Sequence, residues 1–298
     1  MNPALSPGKL AQIACILEAT ARKPGNVHRF RDFDDLDYLD FILSAAAVAD
    51  PLDRARTEGV GASILAAVEA TRRVVATNSN LGMILLLAPL AAVPNAEDLG
   101  EGVRRVLEAT TIDDARHAYR AIRLANPGGL GEAAEQDVRD EPTITLREAM
   151  TLAADRDLIA RQYADGFAVV LGEGLPALRR RLDQGGSLET AIVGAFLELL
   201  SRHPDSLIAR KAGAERAAEA SRLAQDVIAA GWPDQQAGRA RLAEFDAALR
   251  GDGRRLNPGA TADLTAAVLF AALRDGTIKL PRPTGPTAWS GDLVPPCT

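Results

Sequence analysis

Apolar and polar residues alternate along this chain at the helical period rather than the strand period. Positions 60, 64, 65, 68, 74 and 75 are apolar and predict a helix over 61–76. The same spacing predicts helices over 10–21, 37–49, 83–93, 97–110 and 113–124, the last two as an antiparallel pair. Helix resumes at Thr143, and further helices are expected over 187–200, 206–229, 234–250 and 261–274. Breakers separate them: Pro24-Gly25, Asp50-Pro51 and the Gly- and Pro-rich stretch 126–142. Pro89 is expected to kink the helix that holds it. No strand-like alternation of useful length appears. The fold expected is all-α, a single compact domain of about ten to fourteen helices over 1–280. The segment 281–298 has five prolines and reads as an extended tail.

Composition agrees. Apolar residues make up 47% and aromatics only 4%, with Ala, Leu and Arg abundant, which favours helix. The net charge of −6 argues against a nucleic-acid partner. Cys15 and Cys297 stand far apart and suit neither a zinc site nor a disulfide framework, so a reducing cytoplasm is the simplest setting. The first ten residues lack the apolar core of a signal peptide. The most apolar run, 81–93, is too short to span a bilayer and contains Pro89, so no membrane partner is expected.

Five stretches interrupt the helices with residues that a plain connection does not need. "KPGNVHRF" (23–30) is either a turn with solvated charges or an anion site built from backbone N–H groups, Lys23, His28 and Arg29 around Gly25. An acidic run, "DFDDLDYLD" (32–40), follows it at once. "TNSNLG" (77–82) is a helix cap and turn, or a pocket wall where Asn78 and Asn80 bond a sugar or base. "NPGGLGEAAEQDV" (126–138) allows close backbone approach and brings Glu132, Glu135 and Asp137 together, a set that suits Mg2+ beside phosphates. "HPDSLIARKAG" (203–213) offers Asp205 as a helix cap, or Asp205 with Arg210 and Lys211 facing a phosphate and its metal. "LNPGATADL" (256–264) places Gly259, Thr261 and Asp263 at a helix start, where an acid is favoured by the helix dipole and a phosphate can also bind. None is a strong motif alone. Together they predict helix ends meeting at one Mg2+–polyphosphate pocket.

The order of these stretches resembles the triphosphoribosyl-dephospho-CoA synthase family over about residues 10–270. The likeness lies in Lys23-Pro24-Gly25 with Arg29, in Gly131-Glu132-Ala133, in Asp205, and in Pro258 to Leu264. Two places depart from the family pattern. Its Asn-Thr-His-Lys-Gly is here Asn78-Ser79-Asn80-Leu81-Gly82, and its Arg-Gly-Gly is here Ala209-Arg210-Lys211. The resemblance implies an α-helical pentosyltransferase. It would take ATP, release adenine, and join the triphosphoribosyl group to the 2'-hydroxyl of dephospho-CoA. The Asn-rich version is similar to a branch in methanogens and methylotrophs, which implies related phosphoribosyl transfer in tetrahydromethanopterin biosynthesis. An N-glycosidic hydrolase and a non-catalytic all-α binding protein stand as further alternatives.

On that resemblance, Asp205 and Asp263 hold Mg2+ or act as base, and Glu132 is the alternative base. Lys23, Arg29, Arg210 and Lys211 contact phosphate, and Gly25, Gly131, Gly259 and Thr261 offer backbone or hydroxyl groups. Asn78 and Asn80 contact base or ribose. His28 protonates the departing base or stabilises its turn. The partners expected are a nucleotide and a small or CoA-type acceptor, with a homodimer admitted.

Overall fold

The computed structural model describes residues 5–128 and 135–280. Among them every regular element is helical: sixteen α-helices and one π-helical turn at Val170–Gly174, with only two isolated β-bridges. The all-α expectation stands. The helices outnumber the expectation because several predicted ones divide. Gly213, at φ +98°, breaks the 206–229 helix into Ser206–Ala212 and Ala214–Ala229. Glycine enters that left-handed region without a Cβ penalty. The helix expected from Thr143 becomes Leu146–Thr151 and Leu158–Asp165, the second capped by Asp157. The tail 281–298 lies outside the described residues, as do Gly131 and Glu132.

The predicted pairing of 97–110 with 113–124 is not what forms. Ile112–Ala125 packs along Val60–Val74, and Leu99–Glu108 packs on Leu81–Ala92. The first contact is close because of Gly61, where a Cβ would sit 2.4 Å from the Asp114 backbone. The Gly61 N–H donates to Asp114 Oδ1 at 2.7 Å across the same contact.

Three helices make the centre: Leu81–Ala92, Leu188–Arg202 and Gly259–Arg274. Their residues are buried nearly all round, as expected of helices without a polar face. Gly259–Arg274 touches Pro7–Thr20, Leu81–Ala92, Leu158–Asp165 and Leu188–Arg202. No helix among the described residues is long and apolar enough to cross a membrane.

Burying Leu81–Ala92 creates a polar problem, because Pro89 has no N–H to give the carbonyl of Leu85. The hydroxyl of fully buried Tyr163 donates to that carbonyl at 2.6 Å. At the helix end, the buried Arg274 guanidinium donates to the carbonyls of Val93 at 2.9 Å and Pro94 at 2.6 Å. Tyr163→Phe therefore leaves a buried acceptor unpaired. It should lower stability by about 1–3 kcal/mol in urea unfolding. Adding Pro89→Ala supplies an N–H for the same carbonyl and should recover part of that loss.

Candidate active site

One cavity of about 1060 Å3 draws wall residues from all five polar stretches. Asn26 and Val27 come from the first, 77–82 from the second, and Asn126–Gly128 with 135–138 from the third. Arg210 and Lys211 come from the fourth, and Asn257, Gly259 and Asp263 from the fifth. Burial then decides which side chains of each stretch face the cavity.

Asp205 does not. It is 0% exposed and joins two helix starts. Its Oδ1 accepts the N–H groups of Leu207 at 2.9 Å and Ile208 at 3.1 Å. Its Oδ2 accepts the N–H of Thr261 at 2.7 Å and its hydroxyl at 2.8 Å. Burial pushes the Asp205 pKa up and the four donors oppose that rise. A carboxylate so saturated has no free lone pair for a metal or a proton in flight. Asp205, expected as a metal or catalytic group, and Thr261, expected as a ligand group, bond each other here, and neither lines the cavity.

Asp263, two residues further on, lines the cavity. Burial first, then the charges of Glu18, Asp205 and Asp157, push its pKa well above the usual aspartate value, and the Met83 N–H opposes them. Its carboxylate rests against the first turn of Leu81–Ala92. A Cβ on Gly82 would lie 2.0 Å from Asp263 Oδ2, so the missing side chain of Gly82 is the space the carboxylate uses.

The basic loop is neutralised from within. Lys23 is 0% exposed, lies 2.9 Å from the Glu18 carboxylate, and also donates to the carbonyls of Glu18 and Ala21. Arg29 and Arg22 both clasp Glu189, whose side chain is 1% exposed, with Arg29 Nη1 at 2.8 Å and Arg22 Nε at 3.1 Å. Burial and the neighbouring cations lower the His28 pKa to about 3, so its ring is neutral, and Nδ1 accepts the Phe30 N–H at 3.3 Å. Gly25, at φ +72°, donates its N–H to Asp246 Oδ1 at 2.7 Å. None of Lys23, Gly25, His28 and Arg29, expected as ligand-binding residues, lines the cavity. The loop presents Asn26 instead, with Nδ2 donating to Asn257 Oδ1 at 2.5 Å.

The wall carries Arg72, Arg156, Arg161, Arg210, Lys211 and Arg254, and the last three lie close together. Arg210 Nη1 lies 3.3 Å from Asp157 Oδ2, and its Nε is buried with no protein acceptor. Lys211 is half-buried and has no ion-pair partner among the described residues; burial, then Arg254 and Arg210, lower its pKa.

The 77–82 junction is both cap and wall. Asn78 Oδ1 accepts the Leu81 N–H at 3.2 Å, and Asn80 Nδ2 donates to Thr71 Oγ1 at 3.2 Å. Ser79 Oγ meets Ser44 Oγ at 2.6 Å, while the Thr77 hydroxyl is buried without a partner. Asn78, Asn80 and Leu81 all line the cavity. In the third stretch, Asp137 binds Arg139 at 2.8 Å.

Glu18, Asp157, Arg254 and Asn257 were not singled out by the sequence. Glu18 sits inside an apolar helical run. Asp157 was hidden by reading 143–167 as one helix, although an acid before Leu158-Ile159-Ala160 is a cap signal.

Gly82→Ala should cost about 1–3 kcal/mol by overpacking. The clash is with the Asp263 carboxyl group, so Asp263→Ala in the same chain should remove most of that cost in urea unfolding.

Comparison with known proteins agrees with this architecture. The family model described as ATP:dephospho-CoA triphosphoribosyl transferase matches residues 4–281. A Pseudomonas paraeruginosa protein bearing the name 2-(5''-triphosphoribosyl)-3'-dephosphocoenzyme-A synthase is 29% identical over 72% of this chain and 64% of its own length. The chain thus spans under two thirds of that relative. A Vibrio cholerae protein of the same name is 28% identical over 87% of this chain and 85% of its own length. A crystal structure from Archaeoglobus fulgidus, bearing a triphosphoribosyl-dephospho-CoA synthase name, superposes with TM-score 0.60 at 30% identity. It covers 78% of this chain and 98% of that one. The family match over nearly the whole chain, on an all-α frame whose five polar junctions share one cavity, makes this chain a member of the ATP:dephospho-CoA triphosphoribosyl transferase family.

Proposed function

We propose that the chain transfers the triphosphoribosyl group of ATP to the ribose 2'-hydroxyl of dephospho-CoA and releases adenine. The observation that carries this reading is the composition of the cavity wall, which holds the carboxylate Asp263 together with the cations Arg210, Lys211 and Arg254, Arg210 being paired with Asp157. Both signs in one cavity suit a substrate with an anionic tail and a reacting carbon that becomes cationic. In the transfer, the C1'–N bond to adenine breaks with its electron pair leaving on the base. A new C1'–O bond forms to the acceptor hydroxyl. The hydroxyl proton leaves, and adenine gains one.

Ribosyl transfer passes through an oxocarbenium-like state, which a carboxylate stabilises. Asp263 would serve this role and take the hydroxyl proton: it lines the cavity, and its raised pKa brings its basicity nearer to neutrality. The wall cations hold the polyphosphate and fix the position of the ribose, and holding both substrates in register removes much of the entropic barrier. Asn78, Asn80 and the unpartnered Thr77 hydroxyl offer hydrogen bonds to base or ribose.

Mg2+ fits as a shared ligand and not as a caged one. Among the described residues no three His, Cys, Asp or Glu side chains converge as a metal site. Mg2+ favours one or two carboxylates plus substrate phosphates, and Asp155 and Asp157 on the cavity wall would supply them. When bound, it would neutralise polyphosphate charge.

Incubation with ATP and Mg2+ tests the reading, with adenine followed by chromatography. Adenine released only when dephospho-CoA is present supports transfer. Adenine released without acceptor means hydrolysis, and no adenine in either case overturns the assignment of ATP as donor. Leu81 puts apolar surface on the cavity wall, so a ribitol-containing pterin acceptor belongs in the same assay.

Asp263→Asn should lower kcat by about 10²–10⁴-fold with ATP affinity largely kept. With wild type, kcat/KM should fall as pH drops through the raised Asp263 pKa, since the ionised form is the base. That acid limb lies above the ordinary aspartate value of 3.8. Glu18→Gln removes a neighbouring negative charge, eases ionisation of Asp263, and should move the limb to lower pH.

A further inference from the structure

The acidic run 32–40 divides by use. Asp32 accepts the Tyr38 N–H at 2.7 Å, and Asp37 with Asp40 forms the capping box of Tyr38–Ala47. Asp35 does neither. Its carboxylate binds the guanidinium of Arg254, 219 positions away in sequence. This pair differs from those that lock the basic loop. Glu189 and Glu18 are buried carboxylates whose cations do not line the cavity, whereas Asp35 has a side chain 63% exposed and Arg254 is on the cavity wall.

Arg254 also belongs to a group with too few anions. Arg210, Lys211 and Arg254 lie close enough that the two arginines depress the lysine's proton affinity. Among the described residues two carboxylates form ion pairs with this group, Asp157 with Arg210 and Asp35 with Arg254. Arg210 keeps a buried Nε without an acceptor among them, and Lys211 forms no ion pair there, with Asp35 and Asp205 only nearby. A surplus of cations around a cavity calls for an anion with several oxygens.

We propose that Arg254 is a phosphate-binding residue of the cavity and that Asp35 occupies its guanidinium until a polyphosphate displaces it. The proposal rests on the reading of the cavity as a polyphosphate site and adds a residue and a competitor to it. The exchange is favourable. An exposed ion pair is worth little in water, and a guanidinium–phosphate fork beside two further cations is worth more. Asp35 thereby sets a threshold: an anion must offer enough oxygens to outbid one carboxylate, which favours a polyphosphate tail over a single phosphate.

Calorimetric titration of the full chain with inorganic tripolyphosphate, repeated with ATP, tests this. Asp35→Asn should bind tripolyphosphate about two- to fivefold more tightly than wild type, the range an exposed pair commands. Arg254→Gln should bind on the order of tenfold more weakly or worse. In the Arg254→Gln background, Asp35→Asn should have no effect. Asp34→Asn removes the same charge one residue away from the exposed run and should leave binding unchanged. The proposal is overturned if Asp35→Asn binds no tighter, if Asp34→Asn tightens binding equally, or if the Asp35 effect survives without Arg254. Those results, with wild type still binding ATP, leave the cavity's assignment standing. A wild-type chain that binds neither tripolyphosphate nor ATP overturns both.

Discussion

Two helix starts share one buried carboxylate, and the cavity depends on it. Gly259–Arg274 is buried along nearly its whole length, so the N–H groups of its first turn have little access to water. Asp205 supplies Thr261 with an acceptor from one oxygen and caps Ser206–Ala212 with the other. The cost of burying its charge is met by four donors, which is the condition under which a buried carboxylate is tolerated. The junction fixes where both helices begin. From one start, Arg210 and Lys211 reach the cavity wall, and from the other, Asp263 does. Asp205 thus acts on the cavity only by placing others.

The centre of the fold repeats this logic. Leu81–Ala92 is apolar all round and is covered by neighbours, so every irregularity in its backbone must be satisfied by protein. Tyr163 serves the carbonyl that Pro89 leaves open, and Arg274 serves the carbonyls at and beyond the helix end. At the opposite end, Gly82 leaves the helix start thin enough for Asp263 to lie against it. Oriented N–H groups at that start lessen the penalty on a negative charge, while Glu18, Asp157 and Asp205 increase it. The balance leaves a carboxylate that ionises reluctantly.

The sequence made the helical class and the five junctions legible, because periodicity and breakers are local signals. It did not reveal which charge in each junction faces the cavity, because that depends on partners far away in the chain. Lys23, His28 and Arg29 look like phosphate ligands in "KPGNVHRF", yet Arg29 is matched by Glu189, 160 positions on, and His28 is held neutral. Asp205 and Asp263 are indistinguishable as acids near helix starts. One is saturated by four donors and the other is open to the cavity. Asp157 was hidden for the reverse reason: strong helix formers on both sides concealed a break that only tertiary packing decides. Gly131 and Glu132, expected as a backbone ligand and as the alternative base, lie outside the described residues.

The arrangement of charge ties the parts together. For the proposed transfer, a polyphosphate needs cations and a ribosyl carbon losing its base needs an anion, so one uniform potential would serve only half of such a substrate. The two signs must be close, yet they must not cancel each other through direct pairing. Several cations are tied to buried carboxylates and do not line the cavity, as in Lys23–Glu18 and Arg22/Arg29–Glu189. Arg210, Lys211 and Arg254 stand at the wall with few or exposed partners, and Asp263 lies there against Gly82 with the Met83 N–H as its donor. The abrupt change from basic to acidic sequence at residue 32 belongs to the same pattern. The basic half is locked inward by distant glutamates, and the acidic half sends one exposed carboxylate, Asp35, back to the cavity's cationic wall.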